Sequence, residues 1–257
     1  MGGGRFRQAV RTFAAHTLAI RLALGAALAA PACPALAAGL QVTPTQLTLA
    51  RDRPADALWL NNTGPATLRA QVRVFRWLQQ DGQERLEPDP GLAVSPPMLE
   101  LAPGARQLVR VIRLGAPPAQ ETAYRLIVDE LPPADAAQAP GLQFVLRYSV
   151  PVFLAPAAAG PIAPRLRAQL QFEDDRPFLA VDNRGDQHAQ LADLTFVDAQ
   201  GRRHAIAAGL LGYAHAGQRM RWALQAPAAL LRGPGTLEAR INGEPDAQAL
   251  ALDPPAR

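Results

Sequence analysis

The side chains suited to acid–base or metal chemistry are few and poorly spaced for it. Three of the four histidines, His188, His204 and His215, lie in the second half of the chain, at separations unlike the short helical spacing that brings two imidazoles onto one zinc ion. The only cysteine is Cys33. Glu173, Asp174 and Asp175 form an acidic cluster that reads as a solvated loop, with nothing beyond charge to recommend it as a metal site. No Gly-x-Ser-x-Gly elbow and no phosphate-cradling glycine loop ahead of a helix occurs. An enzyme is therefore not expected, nor a cofactor, nor a metal.

A different chemistry, main-chain hydrogen bonding, is offered by residues 142–154, LQFVLRYSVPVFL. Leu142, Phe144, Leu146, Tyr148 and Val150 recur with period two, while Gln143, Arg147, Ser149 and Pro151 fill most alternate positions, the pattern of a half-buried β-strand. Pro151 has no N–H to donate, so this strand is expected at a sheet edge, or to leave its sheet near residue 151. A long apolar edge invites pairing with another chain, and the sequence holds no lysine to blunt it. Period two alone does not separate a core face from a partner face; Pro151 favours the edge.

The elements around this strand are all of one kind. Twenty-five prolines and 20 glycines separate short apolar runs, which points to many strands and turns. Runs of strand character occupy residues 40–49, 57–61, 66–78, 92–101, 106–114, 124–131 and 142–154, the strand count of an immunoglobulin-like sandwich. The proline-rich LAPAAAGPIAPRL then reads as a linker. Further runs at 166–172, 177–183, 190–198, 204–207, 219–223 and 235–242 predict a second, smaller sandwich. Asn61-Asn62-Thr63 has the form of a glycosylation site, but its glycine neighbour marks a turn.

The N-terminus carries Arg5, Arg7 and Arg11, then an Ala/Leu stretch ending in Ala35-Leu36-Ala37, which reads as a secretory signal peptide over residues 1–37. Arg21 interrupts the apolar run and argues against a membrane span. Cys33 follows Ala30-Pro31-Ala32, without the leucine of a lipoprotein signal, so cleavage near Ala38 is the expectation. The formal net charge of +4 equals the four arginines of the leader. The remainder is neutral and gives no argument for nucleic acid. The expected architecture is all-β: two immunoglobulin-like β-sandwich domains over residues 38–156 and 157–257, meeting in an L or boomerang after the signal peptide.

The stretches ALWLNNTG (57–64), QVRVFRW (71–77), VSPPMLELAPGARQLVRVIRL (94–114), YRLIVDELPP (124–133) and LQFVLRYSVPVFLAP (142–156) together resemble the PapD-like periplasmic pilus chaperones of the chaperone-usher pathway. The second domain contributes only VDNRGD (181–186). The resemblance implies a periplasmic chaperone that completes the fold of pilin (fimbrial) subunits by donating an edge strand, and delivers them to an outer-membrane usher. Leu142, Phe144, Leu146 and Tyr148 would then be the donor residues, capped by a subunit or, in the free protein, by self-association through the same edge. No membrane insertion is expected after signal cleavage. An exported structural or adhesive protein of two sandwiches is the alternative.

In the better-known branch of the family the subunit's terminal carboxylate is held by a basic residue on the first strand and a lysine on the donor strand. Those positions align with Gln46 and Pro151, neither of them a cation. The combination of YRLIVDELP with RYSVPVF is similar instead to the archaic, Csu and spore-coat-like branch, for which the resemblance nominates Arg125 as the anchor and Arg147 as second candidate; a guanidinium can grip a carboxylate through two parallel hydrogen bonds. It also implies a structural ion pair between Arg110 and Glu130, with Glu130 bridging to the second domain.

Overall fold

The computed structural model describes residues 39–132 and 144–253. The expected leader and Leu142 lie outside them. From the N-terminal side the strands are β1 (Leu40–Thr43), β2 (Leu47–Leu49), β3 (Ala55–Asn62), β4 (Leu68–Gln80), β5 (Gln83–Glu87), β6 (Leu92–Ser95), β7 (Met98–Leu101), β8 (Arg106–Arg113), β9 (Thr122–Leu131) and β10 (Arg147–Leu154). They build a sheet in the order β1-β3-β8-β6 and a second in the order β2-β10-β9-β4-β5, with β7 also on β4. Alternation decides what goes between them. Leu58, Leu60, Val109, Val111, Leu126, Val128, Val150 and Val152 point inward and make one core, as period-two strands with one buried face must.

The remaining strands are β11 (Leu166–Glu173), β12 (Arg176–Asn183), β13 (Ala189–Asp198), β14 (Arg203–Ala214), β15 (Arg219–Ala223), β16 (Gly235–Ile241) and β17 (Gln248–Ala249), with one short helix, α1 (Ala228–Leu231). Sheets β11-β12-β15 and β14-β13-β16-β17 enclose a second core around Leu179, Val181, Leu191, Phe196 and Leu237. The fold is thus two immunoglobulin-like β-sandwiches.

Two of the expected long strands are broken. The run 40–49 divides into β1 and β2, which belong to different sheets, and 92–101 divides likewise into β6 and β7. Each break holds proline, Pro44 in one and Pro96 with Pro97 in the other, where a ladder loses a donor and the chain crosses between sheets. Strand β5 was not expected because all its residues are exposed and lack alternation. Strand β14 far outruns the expected 204–207, with Gly209 and Gly212 inside it. A Cβ at Gly212 would come within 2.4 Å of the Trp222 indole nitrogen, so only glycine fits there.

The turns after β3 and β12 are built alike. Asn62 is buried, its side-chain amide donates to the carbonyls of Ala66 and Leu101, and its Oδ1 accepts the Gly64 N–H. Asn183 does the same for Gln187 and Ala214, with Oδ1 accepting from Gly185. The two Asn-x-Gly turns, one in NNTG and one in VDNRGD, are buried, fully satisfied clasps.

A third cluster joins the two sandwiches: Trp77, Ala123 and Phe153 from the first, Tyr213 from the second. Polar contacts surround it. Gln79 donates through Nε2 to the Tyr213 carbonyl at 2.7 Å and accepts the His215 N–H at 2.8 Å. Glu121 accepts the His188 N–H at 2.6 Å and lies 3.0 Å from its Nδ1, while the His188 ring stacks on Phe153 with centroids 3.4 Å apart. His215 meets Trp77 edge-on at 4.2 Å. Burial, reinforced by the electrostatic influence of His188, Arg125 and Arg76 nearby, pushes the His215 pKa down to about 3.

Removing Glu121 strands the His188 N–H in a buried junction, so Glu121→Ala is expected to lower stability by about 1–3 kcal/mol in urea unfolding. For His215, the unfolded chain takes up a proton below about pH 6.5 that the folded protein refuses until about pH 3. Stability attributable to this group therefore falls as pH drops through that window, by about 2 kcal/mol between pH 7 and 5. His215→Phe is expected to reduce the loss of Tm between those two pH values relative to the parent; an unchanged difference contradicts the assignment.

Candidate functional site

Strand β10 has a complete partner on one side and a partial one on the other. It pairs antiparallel with β9 from Arg147↔Asp129 to Leu154↔Thr122, but parallel with β2 only from Val152↔Leu47 to Leu154↔Leu49. The Glu130 N–H donates to the Leu146 carbonyl, and the Ala155 N–H to that of Leu49. Main-chain groups alternate direction along a strand, so even-numbered residues of β10 address β9 and odd-numbered ones the β2 side. The N–H and C=O of Arg147 and Ser149 consequently face a side where, among the described residues, no strand lies. Pro151 falls on the same parity, so its missing N–H costs the ladder with β9 nothing.

The strand over residues 142–154 ends at Leu154 as expected, but its start and the extent of its free edge are corrected. The hydrogen-bonded strand starts at Arg147, and its last three residues are enclosed by β2 and β9, so they are no edge. Its inner face grades from closed to open. Val150, Val152 and Leu154 are buried in the first core, and Leu146 and Tyr148 are half-buried against it. The Tyr148 hydroxyl donates to the Leu40 carbonyl at 2.6 Å. Phe144 is 75 % exposed.

Arg125, on β9 opposite Pro151, sits where this open edge meets the junction. Its guanidinium carbon lies 3.5 Å from the Trp77 ring centroid and 5.5 Å from that of Tyr213, with the side chain 14 % exposed. One Nη reaches the Ser149 carbonyl at 3.5 Å, and the nearest carboxylate, Glu84, is a loose 3.9 Å away. Burial lowers the Arg125 pKa, opposed by the charge of Glu84, yet a guanidinium stays protonated. A half-satisfied cation with several free donors is an anion-binding feature. Trp77 and Tyr213 escaped the sequence reading because they come from strands far apart in the chain.

Arg147 is placed differently. Its guanidinium is mostly exposed and is engaged by Asp129, which Arg73 also holds at 2.6 Å. Burial alone would raise the Asp129 pKa; the hydrogen bonds from Arg147 and Arg73 outweigh it and bring the carboxyl below its usual range. The expected Arg110–Glu130 pair does not form. Arg110 is exposed on β8 in one sheet and Glu130 lies on β9 in the other, where its carboxylate accepts the Leu146 N–H at 3.1 Å. The carboxylate that bridges to the second sandwich is Glu121, not Glu130.

Residues 39–160 match the family model of the pili and flagellar-assembly chaperone, PapD N-terminal domain. A search of curated proteins by sequence finds no match. Among solved structures, the chain is similar to the CsuC–CsuE chaperone–tip adhesion subunit pre-assembly complex of archaic chaperone-usher Csu pili from Acinetobacter baumannii, at 21 % identity and TM-score 0.64, over 83 % of this chain and 97 % of that one. It is also similar to the Salmonella enterica SafA pilin–SafB chaperone complex, at 18 % identity and TM-score 0.59, over 83 % and 96 %. The E. coli chaperone DraB matches at 18 % identity and TM-score 0.58, over 83 % and 96 %. Residues 39–160 thus match the PapD N-terminal domain model of pili and flagellar-assembly chaperones, and the chain as a whole shares the two-sandwich fold of these solved structures.

Proposed function

We propose that this protein is a periplasmic pilus-assembly chaperone, of the archaic chaperone-usher type, that binds pilin subunits by lending them the open edge of β10 and passes them to an outer-membrane usher. The observation that carries this function is the adjacency of an unpaired strand edge, a 75 % exposed Phe144 and a buried, loosely paired Arg125. An incoming strand alongside residues 144–149 takes main-chain hydrogen bonds from Arg147 and Ser149. Phe144 and Leu146, with Leu142, enter the subunit's core, each worth about 1.5–3 kcal/mol when fully buried. Because the apolar positions precede Ser149, a subunit strand whose terminal carboxylate meets Arg125 runs parallel to β10.

The free energy for assembly then comes from the subunit itself. Its core is completed provisionally by β10, and replacing that strand with a better-packed pilin segment drives release. The similarity of the CsuC–CsuE complex in fold supports a chaperone with a pilin-type partner. Arg125 remains the preferred carboxylate anchor, since Arg147 is occupied by Asp129.

Co-expression with pilin subunits in the periplasm and recovery through a tag on the chaperone is the test. Phe144→Asp and Leu146→Asp are expected to abolish subunit recovery, and Arg125→Ala to reduce it with the chaperone still folded by circular dichroism. Undiminished recovery with both aspartate variants contradicts strand donation.

A further inference from the structure

Arg125 is set in a corner made by two rings from different sandwiches. Trp77 and Tyr213 meet edge to face at 5.1 Å with planes 76° apart, and the guanidinium lies against the first and beside the second. The Tyr213 ring is itself fixed. Its hydroxyl accepts a hydrogen bond from Gln190 at 2.9 Å, its carbonyl accepts one from Gln79, and the residue is 5 % exposed. A free arginine side chain spreads its charge over many rotamers. Here an indole face holds the guanidinium plane, a phenol blocks one flank, and an Nη is turned to the Ser149 carbonyl at the open edge.

We infer that Trp77 and Tyr213 are positioning residues for Arg125, and that the second sandwich thereby sets the affinity for a carboxylate it does not touch. This rests on Arg125 being the anchor. The contrast with Arg147 supports it: that side chain is 68 % exposed and is oriented by Asp129. Among the described residues no ring is found over its guanidinium. A cation at 14 % exposure is also less screened than one in water, so a correctly oriented carboxylate gains more there. Coupling of this kind is reciprocal: carboxylate capture and closure of the Trp77–Tyr213 corner favour one another.

The test follows the Arg125 Nε–H resonance of the full chain by NMR, assigned by its loss in Arg125→Ala, during titration with sodium acetate and with neutral acetamide. Acetate is expected to shift it saturably and acetamide not. Tyr213→Leu is expected to weaken acetate binding by about five-fold, the scale of one cation–π contact, whereas Tyr213→Phe, which keeps the ring, stays close to the parent. If Tyr213→Leu does not fold, Tyr213→Met carries the same comparison. Parent-like acetate affinity in the ringless variant overturns the positioning role. No response of the parent to acetate overturns the anchor itself, a separate outcome.

Discussion

Between Ser149 and Val152 the strand β10 passes from one hydrogen-bonded neighbour to two. A strand free along its length would slip or aggregate, and one paired along its length would have nothing to offer. Here β2 and the core residues Val152 and Leu154 hold the C-terminal end at a fixed register. Among the described residues, the odd-numbered main-chain groups at the N-terminal end have no strand partner, and the Ser149 carbonyl takes only the long bond from Arg125. Register matters because a slip of one residue would exchange the apolar face for the arginine and serine face. Pro151 sits at the changeover, where a donor is not needed.

The interdomain junction depends on the same strand. Phe153, one residue from the core position Val152, turns to the opposite face and stacks on His188 of the second sandwich. Trp77 and Arg125 share that face. The element that presents an edge thus also carries part of the contact between the sandwiches, which puts the cation corner beside the open main chain. Specific polar groups in the junction are satisfied by one another, as in the two-way contact of Gln79 with Tyr213 and His215, so that the two sandwiches are held in register by more than apolar area.

Much of this was legible in the sequence. Alternation in LQFVLRYSVPVFL identifies a strand, though not which of its faces is the core, and Asn62-Thr63-Gly64 marks the first buried turn; the matching turn in VDNRGD became visible only in the structure. The ion pairs were not legible, for a physical reason. Which acid meets which arginine depends on the sheet and the face that each occupies, and Asp129 and Glu130, neighbours in sequence, point to opposite faces of β9. Glu121 and His188 are 67 residues apart and belong to different sandwiches, with no local pattern announcing the contact. The breaks at Pro44 and Pro96 are a milder case: the prolines were visible, but their effect, a change of sheet, is a property of the assembled sandwich. The length of β14 is not visible locally, because glycines are poor strand formers and these serve close packing against Trp222 and a break in register against β13.

Hydrogen exchange at single amides tests the unpaired edge most directly. In the free protein the amides of Arg147 and Ser149 are expected to exchange close to the rate of an exposed chain while those of Tyr148 and Val150, directed at β9, are protected; in the complex with a pilin subunit all four should be protected. Protection of Arg147 and Ser149 before any subunit is added, or its absence afterwards, would contradict the account.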